Sequence, residues 1–186
     1  MPDTMTLIII AVVVLAVLGA AYAVMQTRRS KSLQSRFGPE YERAVAETGG
    51  RGKAEAELAE RAKRVKKLEI RPLPPGQAAS FTRAWTAAQS AFVDDPRAAI
   101  GEADQLIGEL MAARGYPVTD FEQRAADLSV DHGELVANYR AAHEVALKHE
   151  RGDAGTEDLR QAMIHYRALF EDLIEEPRVE QHRRAS

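Results

Sequence analysis

The chain contains no cysteine. This absence excludes disulfide bonds, a thiolate nucleophile, cysteine-ligated zinc and iron–sulfur clusters. It also leaves no attachment point for a bacterial-type lipid. Aromatic residues are scarce at 6%, and tryptophan occurs once in 186 residues. Because 45% of the residues are hydrophobic and 28% are charged, the composition argues against a disordered chain and against a polytopic membrane protein.

Charged residues are missing from one long segment near the start of the chain. Residues 7–25 read LIIIAVVVLAVLGAAYAVM. As a helix with a rise of about 1.5 Å per residue, this segment would span about 28 Å, close to the thickness of a bilayer core of about 30 Å. Strands usually end within about 8 residues. The segment is therefore predicted to be a transmembrane helix.

The charges on either side of this segment predict its orientation. Asp3 is the only charged residue before it, whereas Arg28, Arg29, Lys31 and Arg36 follow it. By the positive-inside rule the amino terminus should lie outside and the bulk of the chain in the cytoplasm. The alternative is an exported protein with a cleaved signal peptide, since residues 21–23 form a small-x-small site, although no basic residue precedes the apolar core. The four basic residues are also candidate contacts for lipid headgroups.

Charge and proline divide the rest of the chain. Residues 26–71 carry 13 Lys and Arg against 7 acidic residues, a net +6, whereas residues 72–186 carry 12 against 20, a net −8. Three prolines at positions 72, 74 and 75 interrupt any helix at the boundary. The predicted organisation is a tail at 1–6, a span at 7–25, a basic helical stalk at 26–71, a Pro-rich hinge at 72–77, a head at 78–176 and a frayed tail at 177–186.

The head shows helical periodicity and no alternating strand pattern. Phe81, Trp85, Ala88 and Phe92 fall on one helical stripe, so Trp85 is expected to be buried against the last helix. Predicted helix starts are Asp95 before Pro96, a capping box from Thr119 to Glu122, Asp131, and Thr156. The fold class is therefore all-α, with one transmembrane helix, a helical stalk and a compact bundle of about five helices.

Two stretches of the head resemble a known group of proteins. They read RGYPVTDFEQRAADLSVDHGELVANYRAAHEVA at 114–146 and TEDLRQAMIHYRALFEDLI at 156–174. Both resemble uncharacterised small bacterial proteins of actinobacterial type that are single-span membrane proteins or are secreted. The resemblance supports the architecture and implies no activity.

Few residues in the head suggest chemistry. His143 and His149 are six apart, whereas a zinc-protease helix needs two histidines four apart, so no metal site and no cofactor are predicted. Nucleic-acid binding is disfavoured because the head is net negative. Four arginines of the head, at 124, 140, 160 and 167, are expected to pair with Asp127, Asp131, Glu134 and Glu171.

Two functions remain open at this stage. The first is a membrane-tethered interaction module, an adaptor or scaffold, that binds an unidentified protein through a groove between helices. The second is a membrane-anchored ligand-binding protein or enzyme with an inter-helix pocket. That pocket would use Arg124, Arg140, His143, Arg160 and His165. The chain carries no catalytic motif, so the first function is preferred and no catalytic residue is assigned.

Overall fold

The computed structural model describes residues 3–117 and 120–175, and within these residues the chain is entirely helical. The predicted all-α fold, with one long amino-terminal helix, is confirmed. The eight helices are α1 (Thr4–Phe37), α2 (Pro39–Thr48), α3 (Arg51–Val65), α4 (Pro75–Ala91), α5 (Pro96–Ala113), α6 (Phe121–Leu128), α7 (Gly133–Glu150) and α8 (Thr156–Ile174).

Helix α1 extends well beyond the apolar segment. It contains 34 residues and continues without a break past residue 25 to Phe37. It ends at Gly38, whose φ of 51° lies in the region that favours glycine, and the Gly38 N–H donates to Gln34 O at 3.0 Å. Pro39 then begins α2. The candidate span and the first part of the predicted stalk are therefore one continuous helix.

The main core is formed by helices α4 to α8. Trp85 on α4 is 4% exposed and stacks on Phe170 of α8, with ring centroids 4.7 Å apart and an interplanar angle of 13°. This confirms the expected burial of Trp85 against the last helix. Helices α7 and α8 bury Tyr139 and Tyr166 in the same cluster, and their rings meet edge to face.

A second, smaller core joins α1, α2 and α3. Phe37, Tyr41, Leu58 and Val65 are buried in it together with Val130 from the turn between α6 and α7. The stretch between α3 and α4 contributes Leu68 and Ile70, which pack against both cores. The stalk region and the head are thus packed against each other.

The proline-containing segment before α4 is docked on the bundle. The Arg71 N–H donates to Arg114 O at 2.9 Å, and Leu73 packs against the main core. At Gly115, with a φ of 97°, an added Cβ would lie 2.5 Å from Glu69 O, so this contact leaves no room for a side chain. Helix α4 begins at Pro75, inside the predicted hinge.

The helix starts agree only partly with the predicted ones. Asp95 caps α5 as expected, accepting from the N–H groups of Arg97 and Ala98. Thr119 lies outside the described residues, and the cap of α6 is Asp120, which accepts from the Gln123 N–H at 2.9 Å.

Of the two remaining starts, the predicted opening of the last helix at Thr156 is confirmed, with Glu157 and Asp158 in its first turn. The start of α7 is shifted by one residue: His132, not Asp131, precedes it, and the Asp131 carboxylate pairs with Arg36. Gly155 precedes α8, and its N–H donates to Asp158 at 2.9 Å, so the first-turn carboxylate caps this helix.

Candidate membrane-proximal site

Helix α1 exposes the apolar side chains between Val12 and Met25. The large hydrophobic side chains in this stretch are between 49% and 69% exposed. Helix α1 is long and apolar enough over Val12–Phe37 to cross a membrane, and a signal sequence would meet the same criterion. The rest of the described chain does not cover these side chains.

Below the apolar segment α1 is clamped to α2 and α3 by a buried carboxylate. Glu55 on α3 is 6% exposed. It accepts hydrogen bonds from the Ser30 hydroxyl on α1 at 2.5 Å and from the Tyr41 hydroxyl on α2 at 2.9 Å. The hydrogen bond from Ser30 is the largest influence on the pKa of Glu55 and lowers it; burial opposes this shift, and Tyr41, Arg29 and Arg51 add to it.

This clamp places the folded domain close to the apolar segment. Ser30 follows Met25 by five residues, which is about 8 Å along a helix axis. The intervening residues are helical, so no flexible linker separates the two parts of the chain. If α1 spans a membrane, the domain must therefore lie against its surface.

The four predicted lipid-contact residues have different environments. Arg28, Arg29 and Lys31 are exposed. Arg36 instead donates from Nε to Val130 O at 2.9 Å and from Nη2 to Asp131 at 3.2 Å. Arg36 thus ties the end of α1 to the turn before α7 and is directed at protein.

A second polar centre joins the stalk helices to the bundle through Arg140. Its Nε donates to Glu40 of α2 at 3.0 Å and its Nη1 to Glu122 of α6 at 2.5 Å. Burial alone would lower the pKa of Arg140, but Glu122 and Glu40 outweigh it and raise the pKa. Glu40 is 3% exposed, so this is a buried ion pair between residues 100 positions apart.

An open groove between α3, α6 and α7 borders this centre. Arg61 pairs with Glu57 on its own helix and lies 3.8 Å from Glu40, and Arg64 pairs with Asp127 of α6. The groove is lined by Glu47, Glu57, Glu60, Arg61, Arg64, Asp120, Glu122, Gln123, Ala126 and Arg140.

His143 lies in a different environment, between an aromatic ring and a carboxylate. Its ring stacks on Phe121 at a centroid distance of 3.6 Å. Its Nδ1 is 3.8 Å from Asp104 of α5, which also accepts a hydrogen bond from the Tyr166 hydroxyl at 2.9 Å. Burial would raise the pKa of Asp104, but His143, Tyr166 and the Arg124 charge together lower it.

The structure places the five residues of the predicted ligand pocket in different environments. Arg140 and His143 both approach Phe121, and Arg124 acts on Asp104. Arg160 is exposed and pairs with Glu157 one turn earlier, and His165 is half-buried farther along α8. Of the five, only Arg140 lines the groove. The described residues contain no group of three side chains suited to a metal ion.

The expected arginine pairs are formed only in part. Arg167 pairs with Glu171 on α8 at 2.7 Å, as predicted. Asp127 and Asp131 are instead bound by Arg64 and Arg36, which precede them by more than 60 residues. Glu40 and Glu55 were not singled out, and Arg64 was expected only as one of the basic residues on the outer faces of the stalk, because nothing in their sequence spacing distinguishes them from solvent-exposed helix residues.

The fold and this site define the class of the protein. Over the described residues it is an all-helical protein in which one candidate membrane helix runs directly into a folded domain. No protein-family model, curated protein or solved structure matches the chain. The resemblance to actinobacterial proteins stays a prediction.

Proposed function

We propose that the protein is a membrane-tethered helical interaction module. In this proposal α1 crosses the cell membrane with its amino terminus outside, and residues 26–186 lie in the cytoplasm. The observation that carries it is the unbroken passage of α1 from an exposed apolar segment into the Ser30–Glu55–Tyr41 clamp. A rigid connection of this kind suits a domain that presents a surface at a fixed height above a bilayer.

The groove between α3, α6 and α7 is the partner surface that we propose. Five acidic and three basic residues line it. Two carboxylates outside this lining also bind its arginines: Asp127 binds Arg64, and Glu40 binds Arg140. The arginines are therefore neutralised, and the groove presents excess negative charge to solvent. A partner protein with a basic segment has the complementary charge.

The alternative, a ligand-binding protein or enzyme, has less support. It requires Arg124, Arg140, His143, Arg160 and His165 to converge, whereas Arg160 is bound to Glu157 at an exposed position. The Asp104–His143–Tyr166 cluster is used within the core, where a carboxylate accepts from a buried tyrosine.

Membrane anchoring is tested first. A reporter that is active only in the cytoplasm, fused after Ser186, should be active, and the protein should stay with membranes after alkaline extraction. A reporter active only outside the cytoplasm, or a mature protein beginning after residue 23, would replace the anchor with an exported protein and a cleaved signal peptide.

Partner binding is tested by photocrosslinking in intact cells. A photoreactive residue replacing Glu60, which is 72% exposed beside the groove, should give one discrete protein adduct whose crosslinked peptide is rich in Lys and Arg. The matched control replaces Thr86, an exposed residue on α4. Equal adducts from both positions, or none from Glu60, would contradict the assigned surface.

A further inference from the structure

Two contacts between distant residues set the direction of α3. Its Glu55 is bonded to Ser30 of α1, and its Arg64 is bonded to Asp127 at the end of α6. Six residues beyond Ser30, Arg36 donates to Val130, whose N–H donates to Asp127 O. Both helices therefore run from the Glu55 clamp to the turn between α6 and α7. Helix α3 is parallel to α1, and its first residues point toward the apolar segment.

This direction places the turn between α2 and α3 beside the end of the apolar segment. Arg51 precedes Glu55 by one helical turn, about 6 Å, which brings it level with the residues just after Met25. Arg51 and Lys53 are exposed, as are Arg28, Arg29 and Lys31. Acidic groups of α2 and α3 in this region are already bonded: Glu55 within the clamp, Glu47 to Arg43, and Glu57 to Arg61.

We infer that Arg28, Arg29, Lys31, Arg51 and Lys53 form a basic collar that binds anionic lipid headgroups. The inference rests on the proposed membrane anchor and names the lipid chemistry that the domain contacts. Complementary charge and position argue for this occupant, because the collar surrounds α1 where its apolar side chains end. Basic residues close to an anionic leaflet are attracted to its surface charge.

The other basic residues of the stalk lie too far away to contribute. Lys63, Lys66 and Lys67 follow Glu55 by 8 to 12 residues, about 12 to 18 Å farther from the apolar segment. The screening length at physiological ionic strength is about 8 Å. Arg36 and Arg64 are bound to Asp131 and Asp127. The collar thus combines two segments that are about 20 residues apart in sequence and excludes the basic stretch at 61–67 that follows them.

The absence of native cysteine allows a direct test in the full-length protein. A fluorophore is attached at Gly52→Cys, where an added Cβ meets nothing within 4 Å, and in a second protein at the exposed Lys63→Cys. Each protein is reconstituted into phosphatidylcholine vesicles with or without phosphatidylglycerol, and quenching by a headgroup-attached quencher is measured. Quenching at Gly52→Cys should exceed that at Lys63→Cys, rise with phosphatidylglycerol, and fall in about 1 M salt, where the screening length is about 3 Å.

Charge variants in the Gly52→Cys background identify the residues responsible. Arg51→Glu with Lys53→Glu should abolish the salt-sensitive part of the quenching. The matched control, Lys66→Glu with Lys67→Glu, changes the net charge equally at exposed positions and should leave it intact. Equal losses from both pairs, or quenching that does not respond to phosphatidylglycerol, would overturn the collar.

Failure of the collar is distinguishable from failure of the anchor. A protein that resists alkaline extraction from phosphatidylcholine vesicles has an inserted α1 whatever the headgroup charge. Inserted protein without a phosphatidylglycerol response refutes the collar alone. Protein that is extracted from both kinds of vesicle refutes the anchor on which the collar depends.

Discussion

At the scale of single residues, Arg140 makes a contact that the sequence does not predict, because its partner Glu40 lies 100 positions away. Its side chain is 8% exposed, and its guanidinium joins α2, α6 and α7 through Glu40 and Glu122. A buried ion pair contributes little relative to a well-packed apolar pair. Removing one partner is nevertheless costly, because the other charge is then left buried without compensation.

Replacing Arg140 with Leu should therefore destabilise the protein strongly. Glu40 would lose both of its hydrogen bonds from Arg140, and we expect the free energy of unfolding to fall by about 3 to 5 kcal/mol. Denaturant titration measures the change. Arg167→Ala is the control, since it removes an exposed i,i+4 pair with Glu171 that should contribute less than about 1 kcal/mol. Equal effects of the two variants would contradict the burial of the Arg140 pair.

The ionisation of Asp104 makes the stability of the protein depend on pH. Its pKa is lowered in the folded protein, so folding favours the ionised form. A carboxylate of this kind contributes stability that is fully present above its unfolded pKa of about 3.9 and is lost as the pH falls through the folded pKa. Acid should therefore weaken the junction of α5, α7 and α8 in which Asp104 lies.

Asp104→Asn should make the protein less stable at neutral pH than the unmodified protein. The gap in stability between the two should narrow as the pH falls below about 4 and close below the lowered pKa of Asp104, because both side chains are then uncharged in the folded and the unfolded protein. Thermal unfolding across this pH range measures it. Tyr166→Phe, which removes one hydrogen bond to the carboxylate, should reduce stability at neutral pH by less than Asp104→Asn does. A gap that is constant with pH would show that the ionised form is not favoured by folding.

At the scale of helices, the junction of α1 with α7 depends on a close approach of backbone to backbone. An added Cβ at Gly133, the first residue of α7, would lie 2.7 Å from the carbonyl carbon and oxygen of Phe37. The end of α1 therefore packs directly on the start of α7. The Arg36 hydrogen bond to Val130 reinforces the same junction.

Gly133→Ala should separate these two helices. Because the obstructing atoms belong to the backbone, we expect a loss of about 1 to 3 kcal/mol, as for other overpacked sites. Gly52→Ala is the matched control: it is helical, its Cβ meets nothing within 4 Å, and it should add up to about 1 kcal/mol of stability. Denaturant unfolding of both variants tests this, and a stabilising Gly133→Ala would refute the close contact.

At the scale of the whole molecule, the two cores behave as one unit. Leu68 and Ile70 pack against both cores. Val130, which lies between helices α6 and α7 of the bundle, is buried in the smaller core. The ion pairs of Arg64 and Arg140 cross the same boundary. Contacts of this kind couple the unfolding of the two parts.

We accordingly expect a single unfolding transition. Trp85→Ala in the main core should cost about 3 to 5 kcal/mol and Leu58→Ala in the smaller core about 2 to 5 kcal/mol, out of a typical margin of about 5 to 15 kcal/mol. Each variant should lower the same midpoint when unfolding is followed by circular dichroism. Two transitions, each moved by only one of the variants, would show that the cores are independent.

The sequence by itself determined the features that depend on neighbouring residues. Helices and several of their ends follow from hydrophobic periodicity and from caps such as Asp95 before Pro96. The apolar helix and the buried stripe around Trp85 also follow, because side chains three or four apart share a helical face. Arg167 and Glu171 could be paired for the same reason.

Only the tertiary structure decided which distant residues meet. Arg36 was expected near lipid and pairs with Asp131, while Arg51 and Lys53 were not considered as lipid contacts, although the inferred direction of α3 brings them toward the apolar segment. Nothing local distinguishes a lysine at the first turn of α3 from one at its last turn. Their heights above a membrane depend on the direction of α3, and that direction depends on the Glu55 and Arg64 contacts. Long-range packing sets those contacts, whereas local periodicity carries no information about them.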